Sequence, residues 1–156
     1  MKPTVEQVQH VERAFQTAIA EVDKFEWGTE EQINAQNEPF DLALACGWDW
    51  EADTKFSDYA LKATTQELLQ YGLERFRYWV PVVHALAELN EDATEQWRVR
   101  WTTAHKSDGR ECWRVENQEG HLRAEIHPGG DAERNIYAVG GAEKLHDLAR
   151  ALWANA

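Results

Sequence analysis

The sequence predicts an α+β fold in which amphipathic helices pack on one face of a three- to four-stranded antiparallel meander, followed by a C-terminal helix. Apolar residues recur every three or four positions through most of residues 1–90, which is the period of a helix face. From about residue 95 they recur at every second position, which is the period of a strand. At 156 residues the chain is expected to form a single domain, residues 1–156, with a helical, acidic part over about 1–90 and the meander with its closing helix over about 95–156.

The first helix has both a start and a stop in the sequence. Thr4 and Gln7 match the capping-box pattern, in which two side chains bond free backbone N–H groups, and Gly28 supplies the stop. Between them one apolar face repeats at helical steps, formed by Val5, Val8, Val11, Phe15, Ala18, Ile19, Val22 and Phe25.

Residues 29–48 combine a second helix start with an alternating segment. Thr29 and Gln32 repeat the capping-box pattern and predict a short helix before Pro39. The alternation that follows is typical of a half-buried strand, with apolar positions Phe40, Leu42, Leu44, Cys46 and Trp48. The alanines between these positions leave a helix as the alternative.

A long helix is predicted over about 65–88. Thr64 and Glu67 form a third capping-box pattern, and an apolar face follows at Leu69, Leu73, Phe76, Val80, Val83 and Ala87. A proline removes a backbone donor and clashes with the preceding turn. Because of Pro81 we expect a kink, or two helices that meet near Trp79.

Three strands are predicted from the two-residue period. Their apolar positions are Trp97, Val99 and Trp101, then Trp113 and Val115, then Leu122, Ala124 and Ile126. The expected turns are Ser107-Asp108-Gly109, Gln118-Glu119-Gly120 and His127-Pro128-Gly129-Gly130. A fourth short strand over 136–139 is expected to end at Gly140 and Gly141, before a closing helix with apolar positions Ala142, Leu145, Leu148, Leu152 and Trp153.

The order of helix, three strands and helix resembles the layout of double-stranded-RNA-binding domains over residues 65–156. The closing helix of that family opens with a lysine cluster that holds phosphate. Here Glu143 and Lys144 open the helix, and Asp147 follows. We therefore do not expect the activity of that family.

Net charge restricts the class of partner. The formal charge is −12, with 13 acids and 5 bases in residues 1–64 and 15 acids and 11 bases in the rest. Binding to phosphate depends on Lys and Arg side chains that displace counterions, so we expect no direct nucleic-acid binding and no membrane partner. Cys46 and Cys112 lack the spacing of a zinc site or a disulfide framework, which favours a cytoplasmic location.

Several side-chain patterns resemble reactive sites but are incomplete. Residues 49–53 resemble the first half of a calcium loop, yet Thr54 and Ala60 stand where glycine and glutamate are needed. Glu143 with His146, and His84 with Glu88, are single carboxylate–histidine pairs, whereas a di-iron site needs two such helical pairs and further glutamates.

The meander offers two further incomplete sites. Cys112 near His105 lacks a recognisable oxyanion element, so it is not expected to act as a nucleophile. Alternating Arg and Glu side chains, at Arg98, Arg100, Arg114 and Glu116, indicate cross-strand pairs on a solvated face. We predict no catalytic residue, no metal and no cofactor.

The most informative feature is an acidic, aromatic segment. Residues 21–58 hold eleven carboxylates against Lys24 and Lys55, together with tryptophans. Carboxylates can steer a basic partner, and tryptophans often anchor interfaces. The predicted contact residues are Glu26, Trp27, Glu30, Glu31, Glu38, Asp41, Trp48, Asp49, Trp50, Glu51 and Asp53.

This pattern favours a non-enzymatic inhibitor that docks on a basic protein, for example a nuclease or a nucleic-acid-binding complex. In size and charge such a module resembles phage anti-defence proteins, such as anti-CRISPR-like proteins that mimic nucleic acid, and toxin-immunity proteins. The alternative is a small enzyme or ligand-binding domain whose pocket lies between the meander and the helices, with Trp97, Trp101 and Trp113 as walls.

Overall fold

The computed structural model describes residues 2–51, 53–91, 94–103, 111–127, 129–138 and 143–154. It confirms the α+β class, with helices through the first 91 residues, then a four-stranded antiparallel sheet and a C-terminal helix. The chain divides into two compact units, Pro3–Val80 and Pro81–Ala156 with the N-terminal Met1–Lys2. The single domain expected from the chain length stays a prediction.

The unit Pro3–Val80 is helical. It contains α1 (Val5–Glu21), a 3-10 turn (Val22–Lys24), α2 (Glu30–Ala45), α3 (Thr54–Ala60) and the first part of α4 (Thr65–Glu91). Both bonds of the first capping box are present, since Gln7 N donates to Thr4 Oγ1 at 3.1 Å and Thr4 N donates to Gln7 Oε1 at 2.8 Å. The start of α1 is therefore where the sequence predicts it.

Helix α2 corrects the strand expected over residues 40–48. It runs from Glu30 through Pro39 to Ala45, so the alternation of apolar residues does not reflect a strand. The buried positions Gln32, Pro39 and Ala43 are spaced seven and four residues apart, which is a helical period. Packing of this face against α1 outweighs the backbone donor that Pro39 removes.

Helix α4 is continuous over 27 residues with Pro81 inside it. The alternative of two helices that meet near Trp79 is therefore wrong. Apolar side chains are buried on both sides of the proline, among them Phe76 and Val82. Burial of these side chains stabilises the unbroken helix. Pro81 removes only one of its many backbone hydrogen bonds, which is a smaller effect.

Aromatic rings fill the core of the helical unit. The Phe15 and Phe40 rings lie edge to face at 5.1 Å, and Phe76 lies 6.4 Å from Phe15. Gly72 on α4 faces this cluster, because a Cβ atom there would stand 2.7 Å from two carbon atoms of the Phe40 ring. The ring of Phe40 therefore occupies space that a side chain at position 72 would need.

The unit Pro81–Ala156 contains the meander, in the strand order β1-β2-β3-β4. The strands are β1 (Trp97–Thr103), β2 (Glu111–Asn117), β3 (Leu122–Ile126) and β4 (Ile136–Ala138). A short helix α5 (Ala132–Asn135) precedes β4, and α6 (Glu143–Ala154) closes the described chain and packs on β3 and β4. Among the described residues, every helix is too short or too polar to cross a lipid bilayer.

The register confirms most of the apolar face predicted for the sheet. Val99 pairs with Val115, which pairs with Ala124, and Trp113 pairs with Ile126. Leu122 differs from the prediction, because a bulge between Val115 and Glu116 shifts the register and places Leu122 opposite Glu116. The turn expected at 107–109 and the glycines at 140 and 141 lie outside the described residues.

The cross-strand charge pairs converge on one carboxylate. Glu116 is only 1% exposed and accepts hydrogen bonds from Arg98, at 3.3 Å, and from Arg100. Arg114 Nε lies 3.6 Å from Glu116 Oε2. Burial raises the pKa of Glu116, but the bonds and charges of these three arginines outweigh it and hold the pKa below its ordinary value. This carboxylate is thus more deeply buried than the solvated pairs that the sequence predicts.

Glu116→Gln should lower the stability of the protein and flatten its acid dependence. Because the folded pKa is depressed, the carboxylate stabilises the fold above the unfolded value of about 4.3, and this contribution is lost as pH falls through the folded pKa. We expect a loss of about 1–3 kcal/mol at neutral pH and a smaller loss in strong acid, measured by urea unfolding across a pH series. The exposed Glu119→Gln is the control; equal slopes for both variants would contradict the assignment.

Candidate partner-binding surface

The predicted contact residues all lie in the helical unit, in three consecutive segments. Glu26 and Trp27 precede α2, four acids belong to α2, and the remaining five residues follow it as far as the N-cap of α3. Nine of the eleven are exposed or partly exposed, whereas Trp48 and Asp53 are fully buried.

The four acids of α2 share one exposed face. Successive residues of an α-helix are about 100° apart, so this spacing places the four side chains within an arc of about 100°. They are Glu30, Glu31, Glu38 and Asp41, and all are exposed. The buried residues Gln32, Pro39 and Ala43 occupy the opposite side of the helix. The carboxylates of α2 therefore form one face and are not divided around the helix.

The turn before α2 presents an exposed indole. Trp27 is 85% exposed. Gly28 adopts a positive φ of 84°, a conformation that glycine tolerates, and its N–H donates to Gln32 Oε1 at 3.2 Å. Thr29 caps the helix by accepting from Gln32 N, and its own hydroxyl donates to Glu26 O at 2.7 Å. These bonds fix the turn, so the indole adjoins the first-turn carboxylates Glu30 and Glu31.

Trp48 and Asp53 form part of a buried polar cluster, which the sequence did not predict. Asp53 Oδ2 accepts from Trp79 Nε1 at 2.7 Å, from Arg75 Nε at 3.0 Å and from Trp48 Nε1 at 3.3 Å. Asp53 Oδ1 accepts from Arg75 Nη2 at 3.1 Å and from Phe56 N at 3.3 Å. The carboxylate is fully buried, and Arg75 is 5% exposed. Neither Trp48 nor Asp53 is available to a partner in this structure.

This cluster holds the loop between α2 and α3 in place. Trp48 lies just after α2, Asp53 is the N-cap of α3, and Arg75 and Trp79 belong to α4. Burial and the Arg75 guanidinium lower the pKa of the neighbouring Lys55, while the Asp53 carboxylate opposes that shift. The i, i+4 spacing of Arg75 and Trp79 is the sequence signal that indicates two polar groups side by side on α4.

The loop that this cluster fixes places Trp50 beside a pocket. The Trp50 ring lies 5.8 Å from Phe40 and 6.3 Å from Phe56, and its Nε1 atom is buried without a hydrogen-bond partner among the described residues. The pocket has a volume of about 340 Å³. Its lining is mostly apolar with a few polar groups, and consists of Gln36, Asn37, Phe40, Asp41, Trp50, Phe56, Ala60 and Leu68.

The pocket adjoins the acidic face of α2. Asp41 belongs to both, and the exposed Asp49 and Glu51 flank Trp50 in the chain. A partner group that enters the pocket would therefore meet apolar rings and at least one carboxylate. That combination suits the aliphatic stem of a basic side chain, which has an apolar length and a charged end.

The tryptophans proposed as walls of an alternative pocket have different surroundings. Trp113 is 2% exposed, and its ring lies edge to face with Trp101 at 4.8 Å. Trp97 lies under the Arg123 guanidinium, whose carbon is 5.4 Å from the ring centroid. Trp113 thus belongs to the core of the sheet. His105, the residue near Cys112 in the sequence, lies outside the described residues.

Asp53→Asn should destabilise the helical unit by about 3–5 kcal/mol, because it leaves the buried Arg75 guanidinium without a compensating charge. The free energy of unfolding, measured with urea, tests this. Asp58→Asn is the matched control, since Asp58 is an exposed aspartate on α3 and should change stability by less than about 0.5 kcal/mol. Equal effects of the two substitutions would rule out the buried ion pair.

The surface of the helical unit combines groups suited to binding. Carboxylates, an exposed indole and an apolar pocket can form ion pairs, hydrogen bonds and apolar contacts with a partner. Comparison of the chain with protein-family models, with curated proteins and with solved structures finds no match.

Proposed function

We propose that the protein is a non-enzymatic inhibitor that binds a basic protein through the acidic face of α2, with Trp27 and Trp50 as anchors. The observation that carries this proposal is the placement of four exposed carboxylates on one helix face, next to an exposed indole in the chain and sharing Asp41 with the Trp50 pocket. In this proposal Trp48 and Asp53 do not touch the partner. They support the surface from within the core.

Charge distribution supports a basic partner. Residues 3–80 carry 15 carboxylates against six Lys or Arg side chains, which is a net charge of −9 out of −12 for the whole chain. Two of those six bases are also engaged, Arg75 with Asp53 and Arg77 with Glu12. A surface of one sign steers an oppositely charged partner and raises the association rate at low salt.

The spacing of the acids indicates what kind of basic groove could accept them. Glu30 and Asp41 are eleven residues apart, which is about 16 Å along a helix. One strand of B-form DNA carries a phosphate every 3.4 Å or so along its axis, so the acidic face has a lower density of charge than the nucleic acid it would replace. Apolar anchors must then supply affinity that the charges do not.

The two tryptophans can supply that affinity. An indole that becomes buried removes about 150–250 Å² of its own surface from water, and tryptophan is enriched among the residues that dominate interface energies. Trp27 is exposed before binding and therefore loses no existing core contact. Trp50 is held against Phe40 and Phe56, so it can form one wall of a preformed pocket.

The class of partner that fits best is a nuclease or another nucleic-acid-binding protein with a basic groove, acting in the cytoplasm. In this proposal the chain competes with nucleic acid for that groove and belongs to the same functional class as anti-CRISPR-like phage proteins or toxin-immunity proteins. Direct binding to nucleic acid is not part of the proposal, since the surface repels phosphate.

The charge of the α2 face can be tested with two variants of equal net charge. The first carries Glu30→Gln, Glu38→Gln and Asp41→Asn; the control carries Asp58→Asn, Glu74→Gln and Glu119→Gln, which are also exposed. Exposed ion pairs contribute about 0.5 kcal/mol each, so the first variant should bind the partner about tenfold more weakly. The control variant should bind within about twofold of the unmodified protein. The remaining difference comes from weaker long-range attraction, which salt screens.

The measurement is capture of a basic protein from host lysate at low salt, followed by affinity measurement with the isolated partner across a salt series. Equal weakening by both variants would indicate attraction by net charge alone and would contradict a specific α2 face. Failure to retain any basic protein would contradict the proposal as a whole.

Trp27→Ala should weaken binding to the same partner by about 2 kcal/mol or more while leaving the unfolding midpoint unchanged, because the indole is 85% exposed. Tyr137→Ala, at a 63% exposed aromatic residue in the meander unit, is the control and should alter neither quantity. Unchanged affinity in the Trp27 variant would remove this residue from the surface.

A further inference from the structure

Three side chains with metal-binding atoms meet in the meander, apart from the acidic surface. The thiol of Cys112 on β2, the carboxylate of Glu125 on β3 and the imidazole of His127 just after β3 each offer one ligand atom, and these atoms lie within 4.8 Å of one another. His127 Nε2 is 3.7 Å from Glu125 Oε2. The sequence did not predict this group.

Strand pairing explains why these residues meet. β2 and β3 are antiparallel, with Trp113 opposite Ile126 and Arg114 opposite Glu125. Continuing that register by one step places Cys112 opposite His127. Glu125 and His127 are two residues apart, so they share a sheet face with Cys112. The group is therefore set by the backbone pairing of two strands.

The set of donor atoms selects the class of metal. Thiolate, imidazole and carboxylate are the three protein ligands of Zn²⁺, whereas Ca²⁺ and Mg²⁺ prefer oxygen alone. Zinc binds these atoms at about 2.0–2.3 Å, so neighbouring ligands of a tetrahedral site are about 3.3–3.8 Å apart. The 3.7 Å distance from His127 Nε2 to Glu125 Oε2 lies in that range, and the three ligand atoms all lie within 4.8 Å of one another.

Burial makes this group unlike ordinary surface pairs. Cys112 is fully buried, Glu125 is 4% exposed and the His127 side chain is 20% exposed. His127 Nδ1 is buried without a hydrogen-bond partner among the described residues, and Glu125 lies opposite Arg114 in the strand register. A divalent cation would bind the thiolate, the carboxylate and one imidazole nitrogen together.

A second His–Glu pair in the same unit provides the comparison. His121 Nδ1 lies 3.7 Å from Glu119 Oε2, the same separation as in the His127–Glu125 pair, but both side chains are at least 70% exposed. Among the described residues, this exposed pair belongs to no group of three side chains that could hold a metal ion. It therefore serves as a matched control for the effect of burial and of the thiol.

We propose that Cys112, Glu125 and His127 bind one Zn²⁺ ion, with the fourth coordination position open to water. On binding, the Cys112 S–H bond breaks, a sulfur–zinc bond forms and the proton passes to solvent, so affinity should rise with pH. The metal links β2 to the end of β3. This inference is independent of the acidic surface, and either can fail without the other.

The test uses the whole 156-residue chain after treatment with a chelator, titrated with Zn²⁺ by calorimetry and with Co²⁺ by absorption spectroscopy. A thiolate ligand gives cobalt a charge-transfer band in the near ultraviolet, which an oxygen or nitrogen ligand does not give. We expect this band in the unmodified protein, in Cys46→Ser and in the double variant Glu119→Gln, His121→Asn. We expect Cys112→Ser to lose it.

His127→Asn and Glu125→Gln should each weaken Zn²⁺ binding at least tenfold, and Zn²⁺ should raise the unfolding midpoint of the unmodified protein more than that of either variant. Circular dichroism of the metal-free variants verifies folding; if Cys112→Ser does not fold, the two other variants decide. Absence of the cobalt–thiolate band in the unmodified protein, its loss in Cys46→Ser, or unchanged affinity in His127→Asn would each overturn the proposal.

Discussion

The carboxylate of Asp53 is the interaction on which the helical unit depends. Its two oxygen atoms accept five bonds, from Arg75, Trp48, Trp79 and the backbone of Phe56. These groups come from the segment after α2, from the start of α3 and from α4. Isolated, the buried charge would be strongly unfavourable; with a guanidinium and two indole donors it instead fixes three segments against each other. The orientation of Trp50 and the neighbouring pocket follows from this arrangement.

Local signals in the sequence predict much of the fold. The capping pair of Thr4 and Gln7 marks the start of α1, and the two-residue period marks the strands of the meander. For the segment after Pro39 these local signals predict the wrong element. Alternating apolar residues suit a strand, but Phe40 and Ala43 on a helix reach the core, and tertiary packing decides between the two. The bulge beside Glu116 is likewise a property of strand pairing, which periodicity alone does not reveal.

The candidate sites also depend on tertiary contacts that local sequence signals do not reveal. Sequence indicates that residues 21–58 are acidic and rich in tryptophan, and the helical spacing of Glu30, Glu38 and Asp41 places them on one face. It does not separate the exposed Trp27 from the buried Trp48, because burial depends on distant partners such as Arg75 and Trp79. The Cys112, Glu125 and His127 group has no sequence motif, since its members are brought together by strand register.

The contact between Gly72 and the Phe40 ring joins two helices at a point with no spare room. A methyl group at position 72 would overlap the ring, and the ring is confined by Phe15, Trp48 and Phe56. A side chain at position 72 therefore needs a smaller residue at position 40 first, and since Phe40 also lines the Trp50 pocket, a change in the helix contact would alter the shape of that pocket as well.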